Sequence, residues 1–135
     1  MNLGYACINT ALKANGIFTN RTMRRKTFDS KGLDYVSELS LQNVKDLETH
    51  IHWNNEHNIK LFRLSSQIFP WMEEYKWSDL KDWEEIILIM NRIGHIASES
   101  DQRLTMHPGP FHCLASPNPK VVTRTIIGLD KHAEQ

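Results

Sequence analysis

Apolar positions along the chain fall into short continuous runs, each followed by a longer stretch with helical spacing. Residues 3–8, 59–64 and 103–106 read as strands. After the first, Val36, Ser40, Val44, Leu47 and Ile51 recur every three to four positions, which lines one face of an amphipathic helix. The stretch 31–57 suits one long helix or two abutting ones. A second stripe, Leu80, Trp83, Ile86, Ile87, Met90, Ile93 and Ile96, predicts a helix over 78–100. A third starts at Pro119, a favoured first helical residue, and runs through Val122, Ile126 and Leu129. Strands alternating with long helices predict βαβ units, a parallel sheet and an α/β fold without an internal domain boundary. Three such strands alone leave a sheet edge unpaired, so the pattern reads as the front half of something larger.

Composition keeps this picture and narrows it. The 135 residues are 40% hydrophobic and 24% charged, the balance of a globular domain with a real core. No apolar run approaches the ~20 residues that cross a bilayer. The N-terminus lacks the regions of a signal peptide, so an intracellular protein is expected. Cys7 and Cys113 make no disulfide framework and are expected to be small buried side chains. Sixteen basic and sixteen acidic residues cancel, so bulk charge does not advertise a polyanion partner. Locally, however, Arg21, Arg24, Arg25 and Lys26 cluster. They are either a solvated loop or a phosphate-contacting patch.

Candidate chemistry concentrates where the third strand stops. Leu104 and Met106 alternate into His107, and Pro108 and Gly109 break the strand at once. Proline holds the residue before it extended, and glycine permits a sharp turn. An imidazole is thus delivered to the carboxyl end of a strand, where α/β folds keep their chemistry. A histidine that merely ends a strand beside a turn is the alternative. His112 reads as a loop histidine, while His50, His52, His57, His95 and His132 fall on helical faces and are expected to be solvated. Trp71 and Trp77 either offer stacking surfaces or cover the core. Tyr5 and Asn9, by the same local chemistry, are either a half-buried ring with a turn-capping amide or groups facing a ligand.

Several segments together resemble the UV damage endonuclease family. They are Leu3-Gly-Tyr-Ala-Cys-Ile-Asn9, Thr19-Asn-Arg-Thr22, Leu41-Gln-Asn-Val-Lys-Asp-Leu47 and Trp53-Asn-Asn-Glu-His57. Phe62-Arg-Leu-Ser-Ser66 with Phe69-Pro-Trp71, Gln102-Arg-Leu-Thr-Met-His-Pro-Gly109 and Leu114-Ala-Ser-Pro117 complete the set, in the family's order and across essentially the whole chain. The resemblance implies a partial (β/α)8 TIM barrel, about its first three βα units, with residues 1–135 as the N-terminal portion of one endonuclease domain. A full barrel takes about twice this length. It further implies metal-dependent nicking of UV-damaged double-stranded DNA immediately 5′ of the photoproduct. A cluster of divalent ions, commonly manganese, would polarise the phosphate and activate water.

By the same resemblance, His107 matches a metal ligand, and the remaining ligands belong to later strands. Tyr5 and Asn9 match positions lining the damaged-DNA site, Asn20 and Arg21 a loop that could hold the DNA backbone, and Gln67 a polar residue presented to DNA. After His-Pro-Gly the family typically carries glutamine and an aromatic residue that insert at the lesion; here the pair is Pro110 and Phe111. Phenylalanine can still wedge between bases, whereas proline lacks an amide to fill the gap. These expectations make the 135 residues inactive by themselves, with a second chain as one source of the other half. Two alternatives remain: a non-catalytic or vestigial DNA-binding fragment, and a different metal-dependent barrel enzyme such as a sugar isomerase, since one fold hosts many chemistries.

Overall fold

The computed structural model describes residues 2–135. Its three strands, β1 (Gly4–Ala6), β2 (Leu61–Arg63) and β3 (Arg103–Thr105), form one parallel sheet in the order β1-β2-β3. Register pairs Tyr5 with Phe62 and Phe62 with Leu104. These three therefore share the face that packs on the core, while their neighbours Ala6, Leu61, Arg63 and Arg103 lie exposed on the other. Gly4 is required for this close pairing, since a Cβ there would lie 2.5 Å from both the Cβ and the carbonyl oxygen of Leu61.

Helices cover one face of the sheet. A short α1 (Thr10–Lys13) follows β1, then α2 (Arg25–Glu56) crosses to β2, α3 (Trp83–Glu99) crosses to β3, and α4 (Pro119–Ala133) closes the order. Two single-turn 3-10 segments, Met72–Glu74 and Trp77–Asp79, lie between β2 and α3. Val44, Leu47 and Ile51 of α2 meet Ile86, Ile89 and Ile93 of α3 over Phe62 in one buried cluster. Each such side chain contributes on the order of 1.5–3 kcal/mol by leaving water. Pro119 occupies the first turn of α4 behind Asn118, whose side chain accepts from the Lys120 amide.

Several expectations are corrected. The strands are three residues each, shorter than the runs that announce them, although flanking residues still bond across the sheet, Lys60 to Leu3 and Leu64 to Thr105. The 31–57 stretch is two abutting helices beginning earlier, at Arg25, and joined at Gly32, whose φ of 66° breaks the helical path. The helix expected over 78–100 starts at Trp83, because the preceding residues close a 3-10 turn instead. Ile87 faces outward with Leu88, one position off the buried stripe. Cys7 is only half-buried and Cys113 is exposed, since both sit in loops at the sheet's carboxyl edge. His50 is fully buried, stacked on the Phe62 ring at 5.8 Å, and His132 is half-buried. Burial is the main force pulling both imidazoles below their ordinary pKa.

Candidate nucleic-acid interface

Because the strands are parallel, all three release their chains at one edge of the sheet, and the candidate residues follow from there. After β1 the backbone turns through Cys7 at φ 58°, and its amide bonds back to the Arg63 carbonyl at 2.8 Å. Asn9 then caps α1, its Oδ1 accepting the Leu12 amide at 3.0 Å. Its Nδ2 donates to the Tyr5 hydroxyl at 3.1 Å, and that hydroxyl donates to Asn54 Oδ1 at 2.7 Å. Tyr5 and Asn9 thus form a chain of hydrogen bonds tying the end of β1 to α2. Burial raises the Tyr5 pKa, so the phenol stays protonated and able to donate.

Asn20 and Arg21 lie in the next loop. The Arg21 guanidinium bonds Asp46 Oδ2 at 2.7 Å and the Gly16 carbonyl at 3.0 Å, and it covers the Phe18 ring at 3.9 Å. Arg25, also in the basic cluster, pairs with Asp29 and Glu74. Asn20 is half-buried beside this network.

Gln67, Pro110 and Phe111 come together. They line an open cleft of about 1020 Å³ between the loop after β2 and the loop after β3, with Thr22 and Met23 on one side and Arg124 of α4 on another. Phe111 is 91% exposed at its lip. Trp71, in a left-handed conformation with φ 57°, packs on the core and donates its indole N–H to the Met23 carbonyl at 3.1 Å. Trp77 likewise packs on the core, stacked on Trp83. Deeper in the cleft, His112 Nε2 lies 3.3 Å from Glu73 Oε1 and its Nδ1 is 3.0 Å from the Gly109 carbonyl. Its ring seats against Gly128, where a Cβ would fall 2.0 Å from Nε2. His132 Nδ1 lies against the Met106 sulfur.

His107 stands exposed at the carboxyl end of β3. Among the described residues, no group of three or more His, Cys, Asp or Glu side chains converges to hold a metal. A divalent cluster needs several protein ligands around ions about 4 Å apart, so these residues do not by themselves fit one. Among the described residues, no helix is long and apolar enough to cross a membrane.

No role is legible in the sequence motifs for Asn43 and Asp46, although the Leu41–Leu47 motif contains both, or for Arg124. Asn43 and Asp46 belong to a polar stripe on α2, Ser37, Ser40, Asn43, Asp46, His50 and Asn54, all buried beside the apolar one. That spacing of three to four was the available signal. Arg124 is one exposed basic residue on an amphipathic helix, and nothing local distinguishes it.

Comparison with known proteins agrees across the chain. The family model described as UV-endonuclease UvdE matches residues 1–135. A protein of Acanthamoeba polyphaga mimivirus that goes under the UV-damage endonuclease name is 41% identical over 140 residues, covering 98% of this chain and 41% of its own length. The UV-damage endonuclease of Schizosaccharomyces pombe is 37% identical over 134 residues, with 98% of this chain and 22% of that protein covered. The crystal structure of SacUVDE superposes with a TM-score of 0.85 at 27% identity, over 99% of this chain and 44% of that one. The chain therefore spans less than half the length of these relatives.

Proposed function

The chain belongs to the UV-endonuclease UvdE family, and from that premise we propose that it forms one side of a site for UV-damaged duplex DNA. In this proposal its three βα units are part of a (β/α)8 barrel that cuts the phosphodiester backbone. The observation that carries it is the convergence of Gln67, Pro110 and Phe111 on one open cleft at the carboxyl edge of the sheet, with Arg124 beside them. That edge is where barrel enzymes keep their substrates.

The roles divide by exposure. Phe111 wedges between bases at the lesion, as apolar side chains do in kinked DNA. Pro110 stiffens that loop but offers no amide to a displaced base. Gln67 and Asn20 bond to base edges or phosphates, and Arg124 meets the backbone charge. Tyr5, Asn9 and Arg21 hold the loops that present these groups. His107 supplies one imidazole toward a divalent metal, manganese in the family resemblance. The other ligands would come from residues outside these 135, whether in a longer protein or a second chain. The 135 residues accordingly bind DNA without cutting it.

Fluorescence anisotropy with UV-irradiated and unirradiated duplexes tests the binding, with affinity expected to fall as salt rises. Equal affinity for both duplexes removes the lesion-directed role. Nicking of irradiated plasmid by the purified chain, abolished by a chelator, overturns the division between binding and cutting.

A further inference from the structure

Asn43 lies near the middle of α2, fully buried, between two loops that share no backbone–backbone hydrogen bond among the described residues. Its Oδ1 accepts the Arg21 amide at 3.0 Å. Its Nδ2 donates to the Arg21 carbonyl at 3.0 Å and the Ile68 carbonyl at 3.0 Å, with the Gln67 carbonyl at 3.4 Å. One amide thereby satisfies both main-chain groups of a residue after β1 and reaches two carbonyls after β2. Thr22 and Met23, next in sequence to Arg21, and Ser66 and Gln67 are the cleft walls on either side.

We propose that Asn43 is a positioning residue that sets the spacing of these two loops and, through it, the mouth of the cleft. The proposal rests on the DNA-binding reading of that cleft. Its chemistry is specific. The site needs an acceptor for one amide and donors for carbonyls on a single short side chain, which Asn supplies and Asp does not. A carboxylate there would still accept from Arg21 but would set bare oxygen against the carbonyls. The Trp71 indole bond to the Met23 carbonyl ties the same loops nearer the surface, and Cys7 Sγ meets the Leu64 carbonyl at 3.7 Å where both leave the sheet, so Asn43 is the buried link between them. Asp46, one helical turn further on, holds the first loop but makes no bond to the second.

Hydrogen exchange and DNA binding on the same variants test this. In Asn43→Ala, amides of residues 17–23 and 64–71 are expected to exchange on the order of tenfold faster, in both loops together. Affinity for irradiated duplex is expected to fall on the order of tenfold, as small misplacements of contacting groups do. Val44→Ala, which removes core packing one position along, is expected to lower overall stability yet leave both loop exchange and affinity at wild-type values. Asn43→Ser, with one donor and one acceptor on a shorter arm, keeps the experiment decisive should the alanine variant not fold, and should fall between. Wild-type exchange in either loop overturns the proposal, as does unchanged affinity when both loops loosen. Failure of the wild-type chain to bind any duplex removes the cleft's DNA role instead, and loop exchange alone then decides whether Asn43 links the loops.

Discussion

Replacing Asp46 with alanine tests whether the Arg21 guanidinium braces a loop or awaits a phosphate. Asp46 Oδ2 accepts from the Phe18 amide at 3.0 Å and from Arg21 Nη1 at 2.7 Å, and Oδ1 accepts from Gln42 at 2.9 Å. The two charged side chains are 19% and 10% exposed. Removing one partner of a fully buried pair costs about 3–5 kcal/mol because the other charge is stranded. The residual exposure here puts Asp46→Ala near the lower bound, about 3 kcal/mol. Arg21→Met keeps the aliphatic packing and leaves Asp46 two donors, so it should cost roughly 1–2 kcal/mol. The double variant should fall short of the sum by about 1–2 kcal/mol, the coupling of the pair. Urea unfolding followed by tryptophan fluorescence measures all three. The same Arg21→Met chain, titrated with duplex DNA at several salt concentrations, should keep the wild-type slope of log affinity against log salt. A lost phosphate contact would reduce that slope by about 0.9. Additive stabilities, or a slope reduced by that amount, would refute the bracing role.

Three further outcomes follow from the geometry. Phe111→Ala should leave the melting temperature unchanged, since the ring is 91% exposed, while weakening binding to irradiated duplex on the order of tenfold; calorimetry and anisotropy check the two halves. His50 is neutral when folded because burial lowers its pKa from the ordinary 6.5. The unfolded chain therefore takes up the proton first, and the stability from this group, complete above 6.5, is lost as pH falls below it. Urea midpoints at acid and neutral pH should converge in His50→Gln relative to wild type. Gly4→Ala should destabilise by about 1–3 kcal/mol through overpacking against Leu61, and an unchanged thermal midpoint would contradict the tight β1–β2 pairing.

The α/β order was legible in the sequence because it rests on periodicity: the stripe Val44, Leu47, Ile51 and the stripe Ile86, Ile89, Ile93 are the buried cluster of the structure. What periodicity could not convey was that α2 is covered on more than one side. A helix assumed to have a wet face makes His50 solvated and Asn43 invisible. Here residues 18–21 and 67–68 close over Asn43, and His50 is buried against the Phe62 ring of β2. The candidate site was legible in the same uneven way. Motif order led to Gln67, Pro110 and Phe111, which share a cleft, because each follows its strand by only a few positions and stays near the edge. Arg21 carried a charge that reads as available until its neighbour Asp46, distant by 25 positions, is in place.

The parallel sheet has a kinetic consequence. Gly4 meets Leu61 and Leu61 meets Arg103, so each pairing closes a long excursion of chain, from position 4 to 61 and from 61 to 103. Each pairing, moreover, joins strands only three residues long. Closure entropy must be offset before so few ladder bonds can form, whereas the turns of α2 and α3 nucleate locally. The helices are thus expected to dock first and the strand ends to settle last. The edge of the molecule that carries Phe111, Gln67 and His107 would then be the last part to assemble and the first to open.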